Sequence, residues 1–154
     1  MRFPAIVAAL ALLVTACGGK KEVTTDTTAA APSAVPPAAA ATGTDHVIEM
    51  VSTSPTSFKF VPDNVTIKAG DQVTFKGVSG TQHDVAFYPD SIPPGAADVL
   101  NNAIQDKPQD LATPMINDGQ SVTISFAGAP AGIYRFYCIP HQAMGMKGTI
   151  TVTP

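Results

Sequence analysis

From residue 45 onward, apolar and polar positions alternate in short runs. Residues 47–51, 65–68, 72–76, 84–87, 121–126, 133–138 and 148–152 are rich in β-branched and aromatic side chains, several in strict alternation, the period-two pattern of a half-buried strand. The turn-forming clusters PDN at 62–64, AGD at 69–71, NDG at 117–119 and GAP at 128–130 separate them. Seven or so short strands in about 110 residues predict an all-β sandwich or small barrel. Residues 89–115, PDSIPPGAADVLNNAIQDKPQDLATPM, break the rhythm with a loop-like stretch that holds one helical turn at 96–104. A connection this long needs either a function or a packed excursion to explain it.

The residues before 45 follow other rules. Positions 1–17, MRFPAIVAALALLVTAC, carry one early positive charge, an apolar run and a small-residue exit, the layout of a cleaved export signal over 1–16. The run is shorter than the roughly 20 residues a transmembrane helix needs. Val14, Thr15, Ala16 and Cys17 resemble a bacterial lipobox, which implies that Cys17 becomes a lipid anchor and is not a ligand. Residues 17–44 then form an Ala/Thr/Pro-rich tether with almost no large apolar side chain, too polar and small to offset the entropy of ordering. The folded domain is therefore expected at 45–154, exported to the periplasm or cell surface and held at a membrane through Cys17.

Charge narrows the partners. Nine basic against twelve acidic residues give a net charge of −3 with no Lys/Arg run, which excludes a nucleic-acid partner. Cysteine count narrows the chemistry further. The chain has 2 cysteines, and with Cys17 lipidated the exported domain keeps only Cys138, which cannot form an internal disulfide and must be reactive or occupied.

What could occupy it lies in the stretch 137–146, YCIPHQAMGM. Alternation along 133–138 turns Tyr134, Phe136 and Cys138 into the core and Arg135 and Tyr137 outward. After the cysteine the chain turns through Pro140, Gly145 and Gly148, a tight loop in which His141 and Met146 can fold back toward the thiol. A second imidazole is available at His83, at the start of a strand and after the flexible Gly80-Thr81-Gln82. Two imidazole nitrogens and one thiolate with a weak axial thioether match the donors of blue copper electron-transfer sites. A structural zinc site would more typically be closed by another Cys or His.

Cys138-x2-His141-x4-Met146, with the loop-borne His83, the strand and turn at 63–71 (DNVTIKAGD) and Ile92-Pro93-Pro94-Gly95, resembles the plastocyanin-type blue copper proteins of the cupredoxin family. The resemblance implies a Greek-key β-sandwich with one copper ion at one end, bound by His83, Cys138, His141 and Met146. It favours Met146 over Met144 for the axial place. It also implies electron passage at the outer edge of His141 within an apolar patch, with Tyr137 marking a second route. As a bare residue on a strand, Tyr137 could equally serve β-propensity alone. His46, Met50 and Met115 have no matching role. Asp84 departs from the asparagine often found after the first ligand histidine, which adds a carboxylate near copper. The scattered Asp90, Asp98, Asp106 and Asp110 do not form the acidic clusters of plant-type relatives, so no photosynthetic partner is implied.

Function follows as single-electron transfer between two redox proteins, a donor and an acceptor, by a monomer. Catalysis is not expected, because protein atoms would fill all four positions around the metal. The same ligands could serve copper storage or delivery. A metal-free adhesion module leaves the Cys/His/His/Met coincidence unexplained, and a two-copper oxidase centre would need another cysteine.

Overall fold

A computed structural model of the chain describes residues 42–154. The expected signal at 1–16, the lipidation site Cys17 and nearly all of the tether lie outside the described residues.

Two four-stranded sheets face each other. One is ordered β2-β1-β4-β6 and the other β3-β8-β7-β5, with β1 (Asp45–Ser54), β2 (Ser57–Val61), β3 (Asn64–Lys68), β4 (Gln72–Gly77), β5 (Ala86–Phe87), β6 (Ser121–Ser125), β7 (Gly132–Tyr137) and β8 (Lys147–Thr153). Every connection from β2 to β7 crosses between the sheets, which places β1 parallel to β4 and β3 parallel to β8. The sandwich is of the Greek-key, cupredoxin-like class.

The alternating runs form strands because each buries one face. In β2, Phe58 and Phe60 point inward and Lys59 and Val61 outward. This strand was not anticipated, since Pro55, Pro62 and the polar residues 52–57 make its surroundings read as a turn. Phe60, Phe75 and Phe136 meet edge to face at 4.8–6.2 Å between centroids and bridge the two sheets. Each such buried aromatic side chain contributes about 1.5–3 kcal/mol of apolar burial. Tyr134 is fully buried yet satisfied, its hydroxyl donating to the Pro130 carbonyl at 2.7 Å.

Residues 89–115 form a packed excursion. It carries helix α1 (Ala96–Ala103), which buries Ala96 and Leu100, and its return limb runs beside residues 83–87. His83 and Ile116 exchange both backbone bonds at 3.0 and 2.7 Å, Thr113 N–H donates to the Val85 carbonyl, and Phe87 N–H donates to Leu111. Those pairings run along residues 83–87, while β5 itself, two residues long, pairs with β7.

Strand direction then positions the ends. β4 leads through residues 78–82 into His83, and β7 leads straight into Cys138. Because β1 runs parallel to β4, residues 42–45 enter at the opposite pole. There Asp71 accepts bonds from Thr44 N–H at 2.8 Å, Lys68 N–H at 2.9 Å and the His46 ring at 3.0 Å.

Candidate metal centre

Cys138 is fully buried at the end of β7, as the alternation of Tyr134 and Phe136 requires. The loop after it is closed by backbone bonds. His141 N–H donates to the Cys138 carbonyl at 3.2 Å, Cys138 N–H donates to Met146 at 3.1 Å, and Met146 N–H donates to His141 at 3.2 Å. A short 3₁₀ turn over Gln142–Met144 ends at Gly145, whose φ of 85° suits glycine. The nine residues from Cys138 to Met146 thus form a knot that returns the chain to its starting point.

That knot and His83 bring three donor atoms together. His141 Nδ1 lies 3.3 Å from Cys138 Sγ and His83 Nδ1 lies 3.8 Å from it. The ligating atoms of His83, Cys138 and His141 all fall within 4.8 Å of one another, and all three residues are buried. Met146 is also fully buried, while Met144 is 44% exposed, so only the former thioether is inside the protein.

One five-residue loop orients both imidazoles. The Ser79 carbonyl accepts from His83 Nε2 at 3.4 Å, and Thr81 Oγ1 lies 3.2 Å from His141 Nε2. With Nε2 carrying the proton in each ring, each Nδ1 turns its lone pair toward the sulfur. The loop itself is held to β1 by the Ser52 N–H bond to Ser79 Oγ at 3.1 Å. Gly80 makes the close approach feasible: at φ 100°, a Cβ there would meet Ser52 Cβ at 2.4 Å.

Phe58 covers the rings. It stacks on His141 with centroids 3.8 Å apart and planes at 11°, and meets His83 edge-on at 6.1 Å. Neither this contact nor the Thr81 bond was visible in the sequence. The alternation Ser57-Phe58-Lys59-Phe60 was the one signal that could have placed Phe58 inside.

Burial sets the protonation of the donor side chains. It lowers both histidines below the usual range, leaving neutral rings with lone pairs to offer. The same desolvation pushes the Cys138 thiol up to about 12, so a metal must displace a proton to bind the thiolate. Asp84 is 2% exposed, and burial raises its carboxyl against the lowering effects of the Ile139 N–H bond, the Cys138 thiol and the two histidines. Its Oδ1 accepts from Ile139 N–H at 2.7 Å, tying the His83 strand to the residue after the cysteine.

The donor set, two neutral imidazoles, a thiol and a thioether in a closed apolar shell, suits a metal that accepts both nitrogen and soft sulfur. Comparison with known proteins names the group. Residues 47–153 match the family described as copper binding proteins, plastocyanin/azurin family. The chain belongs to that family. It is 40% identical over 93 residues to plastocyanin B'/B'' of Nicotiana tabacum, covering 60% of this chain and 86% of the relative. Among solved structures it is similar to a mutant plastocyanin of fern, at 33% identity and TM-score 0.51 over 70% of this chain and 99% of the other. It is also similar to a pseudoazurin from Methylobacterium extorquens, at 26% identity and TM-score 0.53 over 70% and 74%. The protein is thus a blue copper cupredoxin, its cofactor one copper ion and its function type 1 electron transfer.

The remaining singled-out residues sort by position. Tyr137 is half-buried on the outer face of β7, against Tyr88. Met50 is core, Met115 is exposed, and His46 lies at the far pole with Asp71.

Proposed function

We propose that His83, Cys138, His141 and Met146 hold the copper ion, and that the protein is an electron carrier and not an enzyme. Bound there, copper supplies a one-electron couple between Cu(I) and Cu(II). The observation that carries the assignment is the convergence of Cys138 Sγ with the Nδ1 atoms of His83 and His141 inside 4.8 Å, all buried. The fold supplies this geometry: Ser79 and Thr81 bond the rings, the loop bonds fix the cysteine and methionine, and Phe58 covers the imidazoles. Little needs to rearrange when charge changes, which is what an electron carrier requires.

Burial also weighs against storage or delivery. A delivery site must hand its ion to another protein's ligands, yet His83 is 1% and Cys138 and Met146 are 0% exposed. The edge of His141 and the ring of Tyr137 are the two proposed routes by which electrons reach a redox donor and acceptor. Around His141, Ile139 and Met144 expose 41% and 44% of their surface and form an apolar rim.

Placement outside the cytoplasm, with a lipid on Cys17, rests on the sequence of 1–17. It accords with residues 42–45 entering at the pole opposite the donor cluster, which leaves that cluster free to face partners. Among the described residues no helix is long and apolar enough to cross a membrane.

Adding Cu(II) to the purified domain tests the site. An intense visible thiolate-to-copper band that disappears in Cys138→Ser is expected, and a colourless protein with ordinary Cu(II) features would overturn the assignment. Slow loss of Cu(I) to a chelator separates a carrier from a delivery module. Release of Cys17→Ala from membranes tests the anchor.

A further inference from the structure

Tyr137 immediately precedes Cys138, and its ring packs against Tyr88 with centroids 4.3 Å apart and planes at 33°. The Tyr88 hydroxyl accepts a 3.0 Å bond from the side-chain amide of Gln142, the residue after His141. The tyrosine pair is therefore joined to the donor loop from two sides. By contrast the edge of His141 is narrow. That residue is 6% exposed, with one ring face under Phe58 and Nε2 bonded to Thr81.

Strand register builds a charged hollow beside the pair. Lys147 stands directly opposite Tyr137, and Thr149 opposite Arg135, while Tyr88 N–H donates to the Arg135 carbonyl at 3.1 Å. Residues opposite each other in a ladder share a face, so both tyrosines, Arg135 and Lys147 crowd one outer surface. Between them lies a pocket of about 330 Å³ lined by Tyr88, Arg135, Lys147, Gly148 and Asp63. Gly148, also in its lining, stands opposite Phe136 on the inner face, where a Cβ would meet Phe136 Cζ at 2.5 Å and the Asp63 carbonyl at 2.6 Å.

Both cations are exposed, and neither has an ion-pair partner among the described residues. Among the described residues the ion pair is His46 with Asp71, at the other pole. The one carboxylate in the pocket lining, Asp63, accepts from the Asn64 side chain at 2.9 Å. In a chain of net charge −3, two free cations over one hollow are a local reversal of sign. A guanidinium offers paired N–H donors that match a carboxylate, and an ammonium beside it adds charge without geometric demand.

We propose that this pocket binds a carboxylate on the acidic surface of a redox protein and seats that partner on the Tyr88–Tyr137 pair. The inference rests on the reading of Tyr137 as an electron route and gives that route its partner chemistry. One electron leaves the reduced centre, which is oxidised by one unit, and the partner's redox group gains it. The cations orient the encounter and the stacked rings supply apolar contact, the usual division between steering and packing at an interface.

A binding readout that needs no copper tests the pocket. Hexacyanochromate(III), a redox-inert paramagnetic anion, is added to the metal-free and Cu(I) proteins and amide broadening is followed by NMR. Broadening centred on Tyr88, Arg135 and Lys147 is expected, lost in the Arg135→Gln/Lys147→Gln variant and strengthened in Asp63→Asn. Broadening centred elsewhere, or unchanged in the double variant, overturns the proposal. Oxidation of the reduced protein by hexacyanoferrate(III) should slow roughly 3- to 10-fold in the double variant at low salt. In the wild type that rate should fall as salt rises, and a rise with salt would mean that overall acidic charge governs the encounter. Asp63, Arg135 and Lys147 are exposed and outside the proposed donor set, so the blue band persists. Loss of the band from the wild type would refute the copper assignment, whereas a blue protein indifferent to the double substitution refutes the docking pocket alone.

Discussion

Replacing Asp84 by asparagine removes one charge beside the donor cluster and little else. The amide oxygen can still accept the 2.7 Å bond from Ile139 N–H that ties the His83 strand to the donor loop. The side chain is buried and touches the Cys138 thiol, so a carboxylate here acts with little solvent between it and the metal. Two unit charges 4 Å apart interact by about 4 kcal/mol at an effective dielectric of about 20. At twice that separation the energy falls to about 2 kcal/mol, and a copper ion held by the proposed donors would feel that difference between its two oxidation states. The sign follows from charge: a carboxylate favours Cu(II) over Cu(I), and removing it favours reduction. With about 59 mV per tenfold for one electron, Asp84→Asn should raise the reduction potential by about 90 mV. Voltammetry of the two copper proteins, with visible spectra to confirm that the donor set is unchanged, reads the difference directly. An unchanged potential would mean that burial keeps the carboxyl protonated in the copper form. The electrostatic account would then be wrong, and Asp84 would act only through its bond to Ile139.

Four further outcomes follow from individual contacts. Thr81→Val removes the hydroxyl that fixes His141 Nε2, and copper affinity measured by competition should drop about 10- to 100-fold. Phe58→Ala empties the space over both imidazoles, and denaturant unfolding of the metal-free protein should show a loss of about 3–5 kcal/mol. Gly148→Ala drives a methyl into the Asp63 carbonyl, a backbone group that cannot rotate away, and should cost about 1–3 kcal/mol in the same assay. At the far pole, bonds from Lys68 N–H, the His46 ring and Thr44 N–H hold the Asp71 carboxyl at about 2, below its ordinary 3.8. A depressed acid contributes stability above its unfolded value that is lost as pH falls through the folded one. Acid unfolding between those two values should therefore be blunted in Asp71→Asn.

The candidate donors could be picked out in the sequence because their chemistry resides in residue type and their spacing is local. Three of the four proposed donors fall within nine residues, and among the described residues no disulfide competes for Cys138. The core faces of β7 and β8 were equally plain, since alternation of aromatic and β-branched residues reports burial directly. What tunes the centre could not be read, because it is set by pairs distant along the chain. Thr81 reaches His141 across 60 residues, Phe58 reaches it from the other sheet, and Tyr88 meets Tyr137 only because β5 lies beside β7. The excursion at 89–115 was opaque for a related reason: its return limb pairs through backbone groups, which every residue carries and no side-chain pattern advertises. The division has a physical basis. A metal selects its ligands by element and softness, properties each residue carries alone, whereas ring orientation, water exclusion and local charge are properties of packing. Residues 78–82 illustrate the second kind. As a string, Val78-Ser79-Gly80-Thr81-Gln82 reads as an ordinary flexible turn. Folded against Ser52, it aims both imidazoles at one sulfur, and the proposed centre depends on that loop as much as on its four candidate donors.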